Sequence, residues 1–271
     1  MSRRDFSQRS FVGELMDEPG VSQEDLRRAL TDLATVNRVT LGYRPTLDFL
    51  RRVARAAPRA RPLRILDVAC GSGDGLRQVA RWATRTGLNV ELTGLDVNRA
   101  TIEIAKRAWA EEQPASWVVS DVLSYEPPGD FDVIVSSLFA HHLTNAQIVR
   151  FLTWMNGVAR RGWFVSDLHR HPVPYHSFRL LGAVFRWHRF VRHDGPVSIA
   201  RAFEREDWTR LLRSAGLDEA EVRVRWWAPF RLCVERLSVD QDGVDQDGVD
   251  QHGADQRGVE RHRVGRQSTV A

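Results

Sequence analysis

Short apolar runs alternate with segments of helical periodicity through the middle of the chain. The first run contains Ile65, Leu66 and Val68 and has the length and β-branched content of a strand buried on both faces. Similar runs follow at residues 89–96, 117–121, 131–137 and 162–167. Helical patterns separate them, at 76–86 before a terminating glycine, near 98–112 and at 144–159. This alternation predicts an α/β fold with a doubly wound, mostly parallel sheet.

A glycine-rich loop follows the first predicted strand directly, in the sequence ILDVACGSGDG. Gly71, Gly73 and Gly75 carry no Cβ where the chain must turn sharply, so backbone N–H groups can approach a ligand closely. The next strand ends in Asp96, some twenty residues further on, where a carboxylate can accept hydrogen bonds from ribose hydroxyls. A dinucleotide site would need a third glycine where Leu76 stands, so the pattern favours a nucleoside site over a nicotinamide oxidoreductase.

The loop and Asp96 together resemble the first two motifs of class I S-adenosylmethionine-dependent methyltransferases of the small-molecule type, over roughly residues 60–237. The resemblance implies S-adenosyl-L-methionine as cofactor. It also implies a seven-stranded Rossmann-like sheet with N-terminal helices, a helical insertion after the fifth strand and a closing antiparallel hairpin within 222–236. Carried over position by position, it implies a cofactor site formed by Asp67, Ala69, Gly71, Gly73, Asp96, Val97, Asp121, Val122 and Ser136. Asp96 would bind the ribose and Asp121 the adenine amino group, while Ala69 stands where many members have their first glycine.

A histidine pair follows the fourth predicted strand, in the sequence FAHHL, where the methyl-transfer pocket of this family lies. A base that removes a hydroxyl proton accelerates a reaction by about 10²–10⁴-fold. His142 and His141 are therefore the candidate catalytic residues, with His142 preferred, although either could only shape the pocket. A second set follows the fifth predicted strand and could face the same crevice: His169, His171, Tyr175 and His176. No metal is expected, because the chain has no spaced Cys/His set.

The predicted acceptor is a small, rather apolar molecule. O-methylation of a phenol, polyketide or quinone-like compound is favoured over C- or N-methylation. No motif of the N-P-P-Y type follows the fourth strand, which disfavours nucleic acid and protein amide substrates. The rival hypothesis is a non-catalytic S-adenosylmethionine-binding protein, since intact cofactor residues indicate binding but not turnover. No pattern in the sequence indicates an oligomeric state.

The patterning outside the sheet divides the chain into three parts. These are a flexible N-terminal arm at 1–20, a methyltransferase domain with N-terminal cap helices at 21–238, and a disordered repeat tail at 239–271. Ser22 opens the first cap helix, and Pro45 precedes the second. Arg38 and Tyr43, between these helices, either cover the pocket or are polar surface groups of a packed helical pair. The tail repeats VDQDG with too little apolar content to offset the entropy of ordering.

Residues 175–192 are the most individual part of the insertion after the fifth strand. As a single helix they would present one broad apolar arc and gather most of their arginines elsewhere. Three interpretations stay open. The segment could be a core helix with snorkelling arginines, a lid over an apolar pocket, or a helix that makes peripheral contact with a membrane.

Composition adds little to this picture. The formal net charge is +4, and Lys106 is the single lysine, so arginine supplies nearly all the positive charge. The basic clusters are not accompanied by a nucleic-acid-binding module, which favours solvated surfaces. Two cysteines are too few for a disulfide framework, and no apolar signal segment opens the sequence, so a cytoplasmic location is expected.

Overall fold

A seven-stranded sheet forms the centre of the molecule. The computed structural model describes residues 5–57, 60–111, 113–218 and 220–238. The strands are β1 (Leu63–Val68), β2 (Val90–Asp96), β3 (Ala115–Val119), β4 (Phe131–Ser137), β5 (Ala159–Leu168), β6 (Val222–Trp227) and β7 (Arg231–Leu237). Their order is β3-β2-β1-β4-β5-β7-β6, with β1 to β5 parallel and β7 antiparallel to both of its neighbours. The predicted fold class, including the closing hairpin, is confirmed.

Helices cover both faces of the sheet. They are α1 (Gln23–Val39), α2 (Arg44–Ala56), α3 (Asp74–Thr86), α4 (Arg99–Ala108), α5 (Asn145–Val158), α6 (Pro172–Val184), α7 (Arg189–Arg201) and α8 (Arg205–Ser214). On β1, Ile65 packs in one core with α2, α3 and α4, whereas the adjacent Leu66 packs in a second core with α5 and α8. Successive strand residues thus reach opposite faces, as in any strand buried on both sides.

Two predicted elements differ from the observed ones. The third strand ends at Val119. Asp121, which was predicted to be the last residue of this strand, therefore lies in the turn beyond it. The single helix predicted over 175–192 is wrong. The chain breaks into α6 and α7 around Arg186, which adopts a positive φ of 50°. His188 is the N-cap of α7, which begins at Arg189. Its side chain accepts a hydrogen bond from the Phe190 N–H.

The apolar arc of this segment is divided by the break. Phe190 and Val191 of α7 are buried against α1. Leu180, Leu181, Val184 and Phe185 are exposed on and just after α6. Contact of residues 175–192 with a membrane therefore stays a prediction. None of the helices in the described ranges combines the length and the apolarity that a membrane crossing requires.

The N-terminal arm makes defined contacts with the fold from residue 6 onward. Arg170, which is 1 % exposed, donates hydrogen bonds to the carbonyls of Phe6 and Ser7. A short 3₁₀ helix at Leu15–Asp17 is held by Asp194 of α7, whose carboxylate accepts from the backbone N–H groups of Leu15 and Met16. The tail predicted at 239–271 lies outside the described residues.

Candidate functional site

The glycine loop between β1 and α3 alternates left-handed residues with ordinary ones. Ala69, Gly71 and Gly73 have φ values of 54°, 54° and 71°. A Cβ at Gly71 would have only one neighbour within 4 Å, the Leu30 Cδ2 atom of α1 at 4.0 Å. The loop therefore forms a shallow cradle under α1. Ala69 adopts its left-handed conformation with modest backbone strain, which a glycine at this position would avoid.

Asp96, at the end of β2, holds this loop in place. Its Oδ2 accepts from the Gly71 N–H at 3.1 Å, and its Oδ1 accepts from the Asn98 N–H at 2.9 Å. Burial raises the pKa of Asp96, partly against those two hydrogen bonds. Each oxygen keeps a further lone pair for a ligand, because a carboxylate accepts about four hydrogen bonds.

Two further acids stand at the ends of neighbouring strands. Asp67, at the end of β1, is buried, and that burial, together with Asp74 and Asp96, raises its pKa well above the ordinary range. Asp121 lies beyond β3, where its Oδ1 accepts from the Leu123 N–H at 2.9 Å. Both face the same cavity as Asp96, together with Ala69, Gly71, Val97 and Val122. The structure thus brings together seven of the nine predicted cofactor residues.

Gly73 and Ser136 do not line that cavity, and their part in cofactor binding stays a prediction. A Cβ at Gly73 would lie 2.6 Å from the Trp117 ring, so its glycine makes room for that ring under the loop. The Ser136 hydroxyl donates to the Val68 carbonyl at 3.1 Å and is buried between β1 and β4. The wall beside it is formed by Ser137 and Leu138.

One cavity of about 850 Å³ extends over the carboxyl ends of these strands. Its roof comes from α1, through Leu26, Leu30 and Leu33, and from the arm segment 14–21. Tyr43 also lines the cavity, and its hydroxyl lies 2.6 Å from Asp74 Oδ2. Arg38 does not line the cavity. Its volume suits a nucleoside cofactor together with a small acceptor, and its roof is mainly apolar.

The two candidate histidines occupy different places in a short 3₁₀ helix at Ala140–His142. His141 is 3 % exposed, does not line the cavity, and has its Nδ1 2.7 Å from Asp167 Oδ1. His142 lines the cavity, with its Nδ1 3.0 Å from Asp17 Oδ2. The structure therefore separates a buried histidine from one that a substrate can reach.

The environment of His142 favours its charged form. Burial opposes the charge, but the hydrogen bond to Asp17 and the negative charge of Glu14 outweigh it, so the pKa of His142 is raised. When His142 is neutral, an Nδ1–H that donates to Asp17 leaves Nε2 as the acceptor. That hydrogen bond sets the tautomer that a general base needs.

Glu14 stands between the two imidazoles. Its carboxylate oxygens lie 3.6 Å from His141 Nε2 and 3.8 Å from His142 Nε2, and its Oε1 accepts from the Ser198 hydroxyl at 2.9 Å. Ligand atoms of Glu14, His141 and His142 lie within 4.8 Å of one another. This spacing alone assigns no metal, and the expectation of a metal-free chain stays a prediction.

Two arginines hold the histidine pair from below. Arg201 donates to the carbonyls of His141 and His142, both at 3.1 Å. Arg9 donates to the carbonyls of His141 and Leu143 and stacks over the Phe203 ring. The position of the pair thus depends on an arm residue and on the end of α7, two segments far apart in sequence.

The second set of candidate residues, His169, His171, Tyr175 and His176, was expected near the crevice but lies away from the cavity. None of these four described residues lines the cavity. His169 stacks on His171, which stacks in turn on Phe230, while Tyr175 meets Phe6 edge to face. They were predicted at the crevice because they follow β5. Three of them pack instead against the arm or near Phe230, the residue before β7, and His176 is exposed.

Sequence reasoning missed Glu14, Asp17 and Arg231 at the cavity. The arm has no periodicity, so nothing in the sequence distinguishes its acids from other surface acids. Arg231 opens a strand whose other end carries charged residues as well. Its pairing opposite Leu168 at the carboxyl end of β5 is visible only in the register of the sheet.

Residues 65–163 match a family model described as "Methyltransferase domain". Among curated proteins, the chain is 27 % identical over 183 residues to the non-reducing polyketide synthase atr1 of Stereocaulon alpinum. That match covers 64 % of this chain and 7 % of the synthase. The chain is also 33 % identical over 92 residues to the non-reducing polyketide synthase azaA of Aspergillus niger. That match covers 33 % of this chain and 4 % of the synthase. The chain therefore spans under a tenth of the length of these relatives.

Solved structures share the fold at low identity. The CMeT domain of the citrinin polyketide synthase aligns with a TM-score of 0.53 at 16 % identity, over 70 % of this chain and 50 % of that one. The plantazolicin methyltransferase BamL aligns at 0.53 and 15 %, over 75 % and 77 %. Human N-acetylserotonin methyltransferase aligns at 0.52 and 14 %, over 80 % and 56 %. These alignments confirm the predicted fold, and the family match identifies a methyltransferase domain within residues 65–163.

Proposed function

We propose that this chain, which carries a class I methyltransferase domain, transfers a methyl group from S-adenosyl-L-methionine to an oxygen of a small, rather apolar acceptor. One observation carries the proposal. A single cavity is lined both by the strand-end acids beside the glycine loop and by His142 under an apolar roof. A cofactor and an acceptor would meet there beneath α1.

The donor set of the cavity fits this cofactor. The positive φ values at Ala69 and Gly71 open a cradle, and Asp96 and Asp121 offer carboxylate oxygens at the ends of adjacent strands. The crystal structures of human N-acetylserotonin methyltransferase and of BamL contain S-adenosylmethionine and S-adenosylhomocysteine respectively, in support of the same cofactor here. When bound, the cofactor supplies an electrophilic methyl group on a sulfonium.

The acceptor's side of the reaction is assigned to the arm, α1 and His142. Leu30 and Leu33 form part of the roof and give the nucleophile an apolar setting. His142 Nε2 would accept the proton of the acceptor's hydroxyl, and Asp17 would stabilise the imidazolium that results. His141, held by Asp167, orients this turn and does not touch the acceptor.

Relatives support a polyketide-like acceptor. Two of them are non-reducing polyketide synthases, and one structural neighbour is the CMeT domain of the citrinin polyketide synthase. Methylation at carbon is the second candidate, favoured by that neighbour. A base at His142 serves both, because an activated carbon acid must also lose a proton. A phenolic oxygen remains the primary proposal, and analysis of the products distinguishes it from carbon.

Mass spectrometry of products tests the proposal. The protein is incubated with S-adenosylmethionine and a panel of phenols, naphthols and aromatic polyketides, and a mass increase of one methylene is sought. Fragmentation then assigns the new group to oxygen or carbon. Binding of S-adenosylhomocysteine without turnover on any member of the panel would favour the non-catalytic hypothesis, and calorimetry with NAD serves as the control for the dinucleotide alternative.

A further inference from the structure

Arg231 is a buried cation at the acceptor end of the cavity. It is the first residue of β7 and pairs with Leu168 in β5, at the edge of the sheet where the parallel strands end. The side chain is 4 % exposed and lines the cavity. Gly42 permits this placement, because a Cβ at that position would lie 2.5 Å from Arg231 Nη2.

The guanidinium has only part of its hydrogen bonding satisfied. Its Nη2 donates to Asn37 Oδ1 at 3.1 Å, while its buried Nη1 has no hydrogen-bond partner among the described residues. No carboxylate in the described ranges forms an ion pair with it. Asp167, which is close enough to influence it, is already engaged by the His141 ring and by two backbone N–H groups.

An arginine in this state is costly to the folded protein. Burial disfavours its charge and lowers its pKa, yet the group stays protonated because the guanidinium is so strongly basic. Apart from His142, the other charged side chains that line the cavity are acids. Arg231 is the only arginine or lysine among the described residues that line the cavity. The acids suit a cationic cofactor, whereas Arg231 suits an anion.

We propose that Arg231 binds a carboxylate of the acceptor, so that the preferred substrates are hydroxyaryl carboxylic acids. This rests on the proposed function. A guanidinium matches a carboxylate in two parallel hydrogen bonds, and it does so most strongly where water is excluded. Bound there, the ring of the acceptor lies under the apolar residues of α1 with its hydroxyl free to meet His142.

Calorimetry with paired probes tests this subsite. Each of 2-, 3- and 4-hydroxybenzoate is titrated against the corresponding hydroxybenzamide, with and without saturating S-adenosylhomocysteine. The wild type is expected to bind at least one hydroxybenzoate about tenfold or more tightly than its amide, since a charge-assisted bidentate pair replaces a neutral contact. Arg231→Gln should remove that preference, and Arg231→Lys should keep part of it. Arg223→Gln, an exposed arginine of the neighbouring strand β6, is the matched control and should keep all of it.

Three results would overturn the assignment. They are equal binding of acid and amide by the wild type, an undiminished preference in Arg231→Gln, and a loss of S-adenosylhomocysteine affinity in that variant with acceptor binding unchanged. The last would assign Arg231 to the cofactor's own carboxylate. The melting temperature of Arg231→Gln, expected at or above that of the wild type, shows that the variant is folded. If the wild type fails to bind S-adenosylhomocysteine, the proposed function fails, while the titrations without it still decide the role of Arg231.

Discussion

The two ends of the cavity are built in different ways. At the end proposed for the cofactor, Asp67, Gly71 and Asp96 come from one β1-loop-α3-β2 unit, and the hydrogen bond between Gly71 and Asp96 joins residues 25 positions apart. At the acceptor end, Glu14, His142 and Arg231 come from the arm, the turn after β4 and the last strand. The hydrogen bonds that hold these segments span up to 194 positions, as between Arg231 and Asn37.

This difference separates what the fold supplies from what this chain adds. A strand, a tight loop and a helix create a nucleoside site at the edge of a parallel sheet wherever the spacing is kept. The acceptor end depends on segments whose contacts are particular to this sequence. Mutations at the two ends should therefore have separable effects, on the affinity for the cofactor at one end and on turnover and acceptor choice at the other.

The largest effect is expected from His142→Ala. Loss of the base should lower kcat by about 10²–10⁴-fold, and the dissociation constant of S-adenosylmethionine should stay near that of the wild type. The deficit should shrink as pH approaches the acceptor's own pKa, because the ionised nucleophile then forms without help. His176→Ala, an exposed histidine of α6, is the control, and EDTA should change neither rate. Wild-type kcat in His142→Ala would remove the base from this position.

Asp96→Ala should have the next largest effect, and at the opposite end. It removes acceptors for the ligand and for the Gly71 N–H, so S-adenosylhomocysteine should bind more weakly by about 1–3 kcal/mol in calorimetry. Acceptor discrimination should be kept once the cofactor site is saturated. Glu91→Ala, exposed on the same strand, should change neither quantity. Unchanged affinity in Asp96→Ala would refute the ribose assignment.

Asp17→Asn tests the acceptor end more finely. The pKa of His142 is raised by Asp17 and Glu14 against burial and the nearby Arg201, and removing one of the two acids should lower it. Activity requires neutral His142, so it rises as pH increases through that pKa. The acidic limb of the kcat profile should move to lower pH in the variant, and it should stay in place in Glu24→Gln, which lies on the outer surface of α1. A limb that moves to higher pH would contradict this arrangement.

The smallest effect is expected from removing residues 239–271. The pentapeptide repeat has too little apolar content to form a core, so the melting temperature and the affinity for S-adenosylhomocysteine should both stay unchanged. A fall of more than a few degrees would mean that the tail docks on the domain and that the comparison must include a third region.

The two ends of the cavity also differ in how much of them could be predicted from the sequence. The strands, most of the helices and the meeting of seven predicted residues at one cavity were predictable, because each depends on local periodicity or on motifs at strand ends. Gly73 and Ser136 have the right positions in the motif. Their surroundings, the Trp117 ring and the Val68 carbonyl, come from neighbouring strands that no local pattern reveals.

The acceptor end could be predicted only in part. Consecutive side chains diverge, so only one of the two histidines was expected to face the pocket, and the structure has His142 in the cavity wall and His141 in the core. Glu14 and Asp17 could not be recognised, since an acid in an aperiodic segment has no signal of its own. The break at Arg186 was missed because apolar spacing continued across it, and a positive φ at a non-glycine residue is not apparent from composition.

The hydrogen bond from Arg9 to the Arg201 carbonyl, which joins residues 192 positions apart, has a consequence for the order in which the site is made. On the ribosome, the glycine loop and β2 have all their mutual partners once residue 98 has emerged. The arm, although synthesised first, cannot complete its contacts until α7 exists, and Arg231 comes later still. In a growing chain, the half of the site proposed to bind the cofactor is formed long before the half proposed to select the acceptor.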